Sequence, residues 1–251
     1  MGSPFGSGRR ASARLGHWGV GIRPDPAVGL DFVAAPEDCR ATTVKSLENA
    51  ISLRRLRRAE LPADTVALAR FLVGKIVVRE IGGARLSGRI VETEAYPQRD
   101  PAAHHFRGPT PRNRSMFLRR GHAYVYFSYG NHFMLNVSAE LAGIGGGVLI
   151  RALEPLEGMA LMEQHRDTTR LLDLTRGPGR LASALRIDRA LDGTDLCAPG
   201  PLWLARLVSA GAGDARIGKS PRIGITRAAQ RLLRFYERGN PFVSGARRLR
   251  G

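Results

Sequence analysis

Little cysteine, few acids, a shortage of lysine and no long apolar run characterise this chain before any motif does. Cysteine occurs twice, at Cys39 and Cys197. That excludes a disulfide framework and any zinc-ligand spacing, and a reducing cytoplasm is the expected compartment. No apolar stretch approaches the ~20 residues that a membrane helix needs, so no membrane partner is expected. The first residues are Gly, Ser and Arg without an apolar segment, and no secretory signal is expected there. No internal repeat is present. No lysine lies between residues 89 and 150, which leaves that segment without an amine for Schiff-base chemistry.

What the chain does have is arginine. Lys and Arg total 39 against 22 Asp and Glu, a net charge of +17. A GC-rich genome accounts for much of the choice of arginine over lysine but for less of the net charge. Ten basic and five acidic residues fall in 1–58, so residues 59–251 themselves carry +12. Such an excess favours polyanionic partners. Arginine adds bidentate phosphate contacts and stacking on rings. Apolar residues make up 43% of 251 residues, enough for one good-sized domain or two small ones.

Residues 1–50 are rich in Gly, Ser, Pro, Ala and Arg without a sustained period, and read as a disordered basic arm. The run Leu53 to Arg58 reads as a solvated charged face. Order is expected from Leu61-Pro62, with a domain over 58–248. Asp64-Thr65 opens a helical apolar pattern that Gly74 closes. Residues 75–94 read as a hairpin turning at Gly82-Gly83. Strands are expected over 123–129, 133–139, 147–152, 202–208 and 232–236, with a loop and strand over 217–225. Helical pieces are expected over 156–191, broken at Arg176 to Gly179. Hairpins and helices without regular βαβ alternation predict an α+β fold, a single domain with a curved, mainly antiparallel sheet surrounded by helices.

Chemistry-bearing residues crowd into 89–155. Glu92 and Glu94 alternate on one strand face, with Val91, Thr93 and Ala95 on the other. Tyr96 follows, then Asp100 and His104-His105 in an unusually long polar loop. Tyr124 and Tyr126 share a face of the next strand, and Tyr129 stands at its turn. Taken singly, these are salt-bridged acids and core aromatics. Together, on a basic chain, they suggest an enzyme that holds a nucleobase between rings. Arg151 lies inside the apolar run 148–153, and a buried charge there needs an acid or an anionic ligand as partner. The adjacent histidines match no zinc signature, and no metal or cofactor is expected. Two other classes use the same residues. A non-catalytic nucleic-acid-binding domain would tolerate loss of Glu94. A metal-dependent nuclease would draw ligands from Glu92, Glu94, Asp100, His104 and His105.

Several stretches resemble the alkyladenine (3-methyladenine) DNA glycosylases of the mammalian type, a family that also occurs in bacteria. They are Gly88-Arg-Ile-Val-Glu-Thr-Glu-Ala-Tyr96, Thr110-Pro-Arg-Asn113, Met116-Phe117, Tyr124-Val-Tyr126, Tyr129-Gly130, Asn136-Val137 and Val148 through Gly158, joined by Gly177-Pro178 and Arg234-Phe-Tyr236. The likeness runs from about Leu61 to Ser244.

The resemblance implies a monofunctional glycosylase that flips alkylated or deaminated purines out of double-stranded DNA and starts base excision repair. Glu94 matches the base that activates water, and Arg151 an arginine near that water and the backbone. Tyr96, His104 and Tyr126 match the pocket that sandwiches the flipped base, and Asn136 a pocket residue that excludes guanine. Tyr129 matches the wedge left in the minor groove, with Asn131 beside it and Arg112 among the DNA contacts. Asn131 stands where the human family member has a larger apolar side chain, and the 97–103 loop is one residue shorter. The implied protein is a monomer, cytoplasmic and associated with the bacterial nucleoid. Glu92→Gln is expected to be much milder than Glu94→Gln.

Overall fold

A computed structural model describes residues 51–128, 130–208 and 216–245. The expected arm, Cys39 and Tyr129 lie outside the described residues. The fold is α+β, as the sequence leads one to expect. Nine strands form one unclosed sheet in the order β1 (Leu53–Arg55), β7 (Leu202–Leu207), β2 (Ile76–Ile81), β3 (Ala84–Tyr96), β6 (Gly147–Glu157), β5 (His132–Ser138) and β4 (Ala123–Ser128). The hairpin of β8 (Ile217–Ser220) and β9 (Arg234–Glu237) joins through β9, and among the described residues neighbouring strands run antiparallel. Helices α1 (Thr65–Leu72), α2 (Met159–Arg166), α3 (Leu171–Thr175) and α4 (Pro178–Ala184) complete it. Among the described residues no helix is long and apolar enough to cross a membrane.

Local chemistry accounts for the elements that position the site. The Asp64 carboxylate accepts from the Ala67 amide at 2.7 Å and caps α1. Gly82 and Gly83 both have positive φ, as a two-residue hairpin turn matched to strand twist requires. The turn sends β3 back along β2 for six residue pairs. Beyond Arg89, β9 takes over that edge of β3, pairing Glu92 with Tyr236 and Glu94 with Arg234. β6 lines the other edge throughout.

Of the three register shifts in the β3–β6 ladder, two are adjacent and fall on opposite strands. Ile90 pairs with Leu153 and Glu92 with Ala152, so Val91 is an extra residue on β3. Thr93 then pairs with Ile150, so Arg151 is an extra residue on β6. Bulges of this kind re-aim side chains and gather at functional sites. Strict alternation is broken here. Val91 joins a small cluster with Tyr236, Phe242 and Val243, away from the main core that holds Ile90 and Ala95. Thr93 still faces α1, donating to the Ala69 carbonyl at 2.8 Å.

Two expectations need correction. Order begins before Leu61: Leu53–Arg55 is an edge strand on β7. Its arginines are engaged by the protein itself, Arg54 with Glu60 at 2.6 Å, Arg58 with Asp195 at 2.5 Å and Arg55 over the Trp203 ring at 4.6 Å. β6 runs on to Glu157 because Pro155 falls at a register shift opposite Gly88, where the ladder does not need its missing N–H. Glu92 has a structural part of its own. It is fully buried. Its Oε1 accepts from Arg151 Nε at 2.9 Å, Arg234 Nε at 2.5 Å and Ser244 Oγ at 3.0 Å, and its Oε2 from the Ser244 amide at 2.7 Å. Glu92 therefore fastens β6, β9 and the C-terminal turn to β3. Removing one partner of a buried ion pair costs about 3–5 kcal/mol. Glu92→Gln should lower the unfolding free energy by that order in a urea titration. A loss below about 1 kcal/mol would show that this network is not what holds the strands together.

Candidate active site

Two residues beyond Glu92, Glu94 is also fully buried but has a different set of partners. Its Oε2 accepts from the Tyr96 hydroxyl at 2.9 Å. Its Oε1 accepts from the Ile223 amide at 2.7 Å and lies 3.3 Å from a terminal nitrogen of Arg151. Arg151 thus bridges the two carboxylates. Burial alone would loosen its proton, but the charges of Glu94 and Glu92 outweigh burial and hold it more tightly than usual. Burial, and then the Glu94 charge, push the Tyr96 hydroxyl well above the usual phenol range, so it remains a donor. A carboxylate has roughly four acceptor positions, and Glu94 uses three.

These donors form one wall of a cavity of about 390 Å³. Glu94 itself does not line it; Tyr96, Arg151 and Ile223, which hydrogen-bond or pair with it, do. The opposite wall is aromatic. Tyr124 and Tyr126 stack with centroids 5.3 Å apart and planes 26° apart. His104 meets Tyr126 edge-on at 4.4 Å, and its Nδ1 lies 3.0 Å from the Tyr124 hydroxyl. Burial, then the nearby charge of Arg112, lower the His104 pKa and favour neutral imidazole. Asn136, 4% exposed, closes the inner end with its Nδ2 donating to the Tyr124 carbonyl at 3.2 Å. Leu149, Met134 and Met116 complete the floor, and Pro178 and residues 223–225 the rim.

Tyr96, His104, Tyr126, Asn136 and Arg151 are therefore brought together around one cavity, with Glu94 behind it. Arg112 and Asn131 lie outside. Both are exposed; Arg112 donates to the Phe127 carbonyl at 2.9 Å, and Asn131 occupies the β4–β5 turn. A second hollow of about 280 Å³ lies across His104 and Tyr124, lined also by Phe106, Arg107, Thr110, Arg112 and Arg227. The loop that carries these residues is ordered from within. Asn113, 3% exposed, donates to the carbonyls of His104 and Gly108 and accepts from the Thr110 amide at 2.6 Å. The two histidines diverge, with His105 Nε2 3.1 Å from the Pro97 carbonyl and its ring on Phe117. Among the described residues no three His, Cys, Asp or Glu side chains are grouped to hold a metal ion. Sequence reasoning missed Arg222 and Ile223. The only signal for them was a loop of unassigned purpose after β8.

Residues 59–241 match the family described as methylpurine-DNA glycosylase (MPG). The chain belongs to the methylpurine-DNA glycosylase family. A relative from Mesorhizobium japonicum is 63% identical over 194 residues, spanning 77% of this chain and 92% of the relative. One from Paraburkholderia phytofirmans is 50% identical over 194 residues, 77% of this chain and 90% of the relative. One from Koribacter versatilis is 46% identical over 201 residues, 78% and 96% respectively. Each is named "Putative 3-methyladenine DNA glycosylase". The family match spans the whole cavity and all four of its contributing strands, β3 to β6.

In this glycosylase-family chain the loop histidine His105 is expected to make stability depend on pH. It is 5% exposed, and its Nδ1 is buried without a partner. Burial lowers its pKa, only partly offset by the Pro97 carbonyl. Below an ordinary imidazole pKa of about 6.5 the unfolded chain binds the proton and the folded one does not, so stability falls on acidification. The melting temperature should drop between pH 7.5 and 5.5, and His105→Gln should flatten that dependence. An equal slope in the variant would assign it to other groups.

Proposed function

We propose that this chain is a monofunctional DNA glycosylase that turns alkylated or deaminated purines out of duplex DNA and hydrolyses the N-glycosidic bond. The carrying observation is an aromatic cavity whose polar wall is hydrogen-bonded to a buried carboxylate. A flipped purine enters between Tyr96 on one side and Tyr126 with His104 on the other. Asn136 sits at the inner end, where a bulky exocyclic amino group meets its side chain. Flipping costs a few kcal/mol, less for a damaged pair. In this reading Tyr129 takes the space left in the minor groove, with Asn131 beside it and Arg112 on the backbone.

Glu94 is the general base. Three of its acceptor positions face Tyr96, Ile223 and Arg151, and in this reading the fourth takes a water that enters from the cavity. The carboxylate takes the water's proton as oxygen attacks C1′, and its negative charge favours an oxocarbenium-like sugar. The purine leaves with the electron pair of the broken bond. Arg151 orients the carboxylate. Stacking favours rings that are cationic or electron-poor, which is how alkylated bases differ from normal ones. Among the described residues no lysine lines the cavity, which supports attack by water rather than by an amine. The enzyme works as a monomer in the cytoplasm, and residues 1–50 add at most salt-sensitive phosphate contacts.

Glu94→Gln keeps the shape but cannot take the proton. On methylated duplex DNA its base release should fall by roughly 10²–10⁴-fold while binding to the duplex persists. Release at the wild-type rate would remove Glu94 from the mechanism. In excess chelator the wild-type protein should still free the base and leave an intact abasic site, and borohydride should trap no protein–DNA adduct. Loss of activity in chelator would favour the nuclease reading. A trapped adduct would show attack by an amine.

A further inference from the structure

Asp100 has no place in the chemistry above, yet it is fully buried and its carboxylate accepts from three donors. Ala102 donates its amide to Oδ1 at 2.9 Å, and Arg231 lies 3.1 Å from Oδ2. A terminal nitrogen of Arg222 sits between both oxygens, at 3.0 and 2.9 Å. The Arg222 and Asp100 side chains are both wholly inaccessible to solvent. Arg222 and Arg231 lie nine residues apart, at the two ends of the loop between β8 and β9, and one carboxylate gathers both ends. Between them, residues 223–225 form the cavity rim.

The ends lead directly to the reacting groups. The other terminal nitrogen of Arg222 donates to the Ala95 carbonyl at 2.9 Å. Its guanidinium lies 4.5 Å from the Tyr96 ring centroid, within cation–π distance. The next residue, Ile223, gives its amide to Glu94 at 2.7 Å. The Ala102 amide bond fixes the turn that carries Ala102 and His104 into the cavity wall. Without Asp100, Arg222 would be a buried guanidinium with no counter-charge among these contacts, which is strongly unfavourable. The loop would move toward solvent and take the Ile223 amide with it.

We propose that Asp100 is a positioning residue: by pinning Arg222 and Arg231 it straps residues 222–231 across the cavity and holds Tyr96 and the Ile223 amide in place on Glu94. The inference rests on the glycosylase reading for its catalytic consequence but not for its structural one. A misplacement of about 1 Å in such a site can cost on the order of 10²-fold in rate.

The test uses Asp100→Asn in the full chain. Its amide keeps the volume of the side chain but turns an N–H₂ toward guanidinium donors. Single-turnover base release from methylated duplex should fall by roughly 10–100-fold, with duplex affinity changed by less than about 3-fold. Hydrogen exchange should accelerate at least about tenfold in the peptide covering residues 221–231, while β3 and β6 keep their protection. Unchanged exchange in 221–231 overturns the proposal, as does a uniform loss of protection, which would make Asp100 a general stabiliser. If the variant does not fold, Arg231→Gln decides, because Arg231 is 49% exposed at its side chain and dispensable to the core. It should loosen 221–231 and slow release by a few fold, and Arg231→Lys should restore both; no effect overturns the strap. A wild-type protein inactive on methylated duplex would overturn the glycosylase reading alone, leaving the exchange measurement to judge the strap.

Discussion

The burial of Arg151 between two carboxylates is the constraint on which the rest of this molecule depends. A guanidinium 7% exposed in the middle of a sheet is tolerable only if its charge is matched and its donors are used. Glu92 and Glu94 supply the match from the neighbouring strand, at 2.9 and 3.3 Å. Two acids against one base would leave a net negative charge, and Arg234 from β9 removes it at 2.5 Å. The quartet is formally neutral. Three strands must come together to make it, so the same interaction that balances the charge also fixes the edge where β9 joins β3.

Neutrality does not make the two acids equivalent. Glu92 accepts from two guanidiniums, a hydroxyl and a backbone amide, none of which borders the cavity except Arg151. Every donor to Glu94 borders it. The difference originates in the paired bulges at Val91 and Arg151. Without the extra residue on β6, Arg151 would alternate with its neighbours in register, opposite a single partner on β3. With it, one side chain reaches both Oε1 atoms. The fold thus uses one arginine to tie a structural carboxylate to one at the cavity.

Much of this was legible in the sequence. The alternating strand with Glu92 and Glu94, the tyrosine strand, the charged residue inside an apolar run and the Gly82-Gly83 turn each follow from local periodicity and residue chemistry. A buried Arg151 requires a buried acid, and its partners proved to be the two acids of the neighbouring strand β3. What could not be read is whatever depends on register or on distant chain. Two bulges are invisible to a period of two. The edge strand Leu53–Arg55 is too short and too charged to show a pattern, and its Arg55, like the neighbouring Arg58, finds its partner more than a hundred residues away, in Trp203 and Asp195 respectively. Asp100 and the 221–231 loop have no local signal at all. Their meaning lies in a contact spanning 122 residues.

The electrostatics of the cavity walls bear on how such a site would discriminate between purines that differ by little more than charge. Most of the nearby ionic groups are paired, Arg151 and Arg234 with Glu92 and Glu94, and Arg222 and Arg231 with Asp100. The lowered pKa of His104 favours an imidazole without charge, and the raised pKa values of Tyr96 and Tyr124 keep both phenols protonated. A base between these rings therefore meets π faces rather than a charged surface. A cationic purine gains by cation–π attraction on the order of 0.5–2 kcal/mol per favourable face, and a neutral one does not. Were His104 protonated, its charge would oppose that same cation across a ring contact. The burial that favours the neutral histidine would thus contribute to such discrimination.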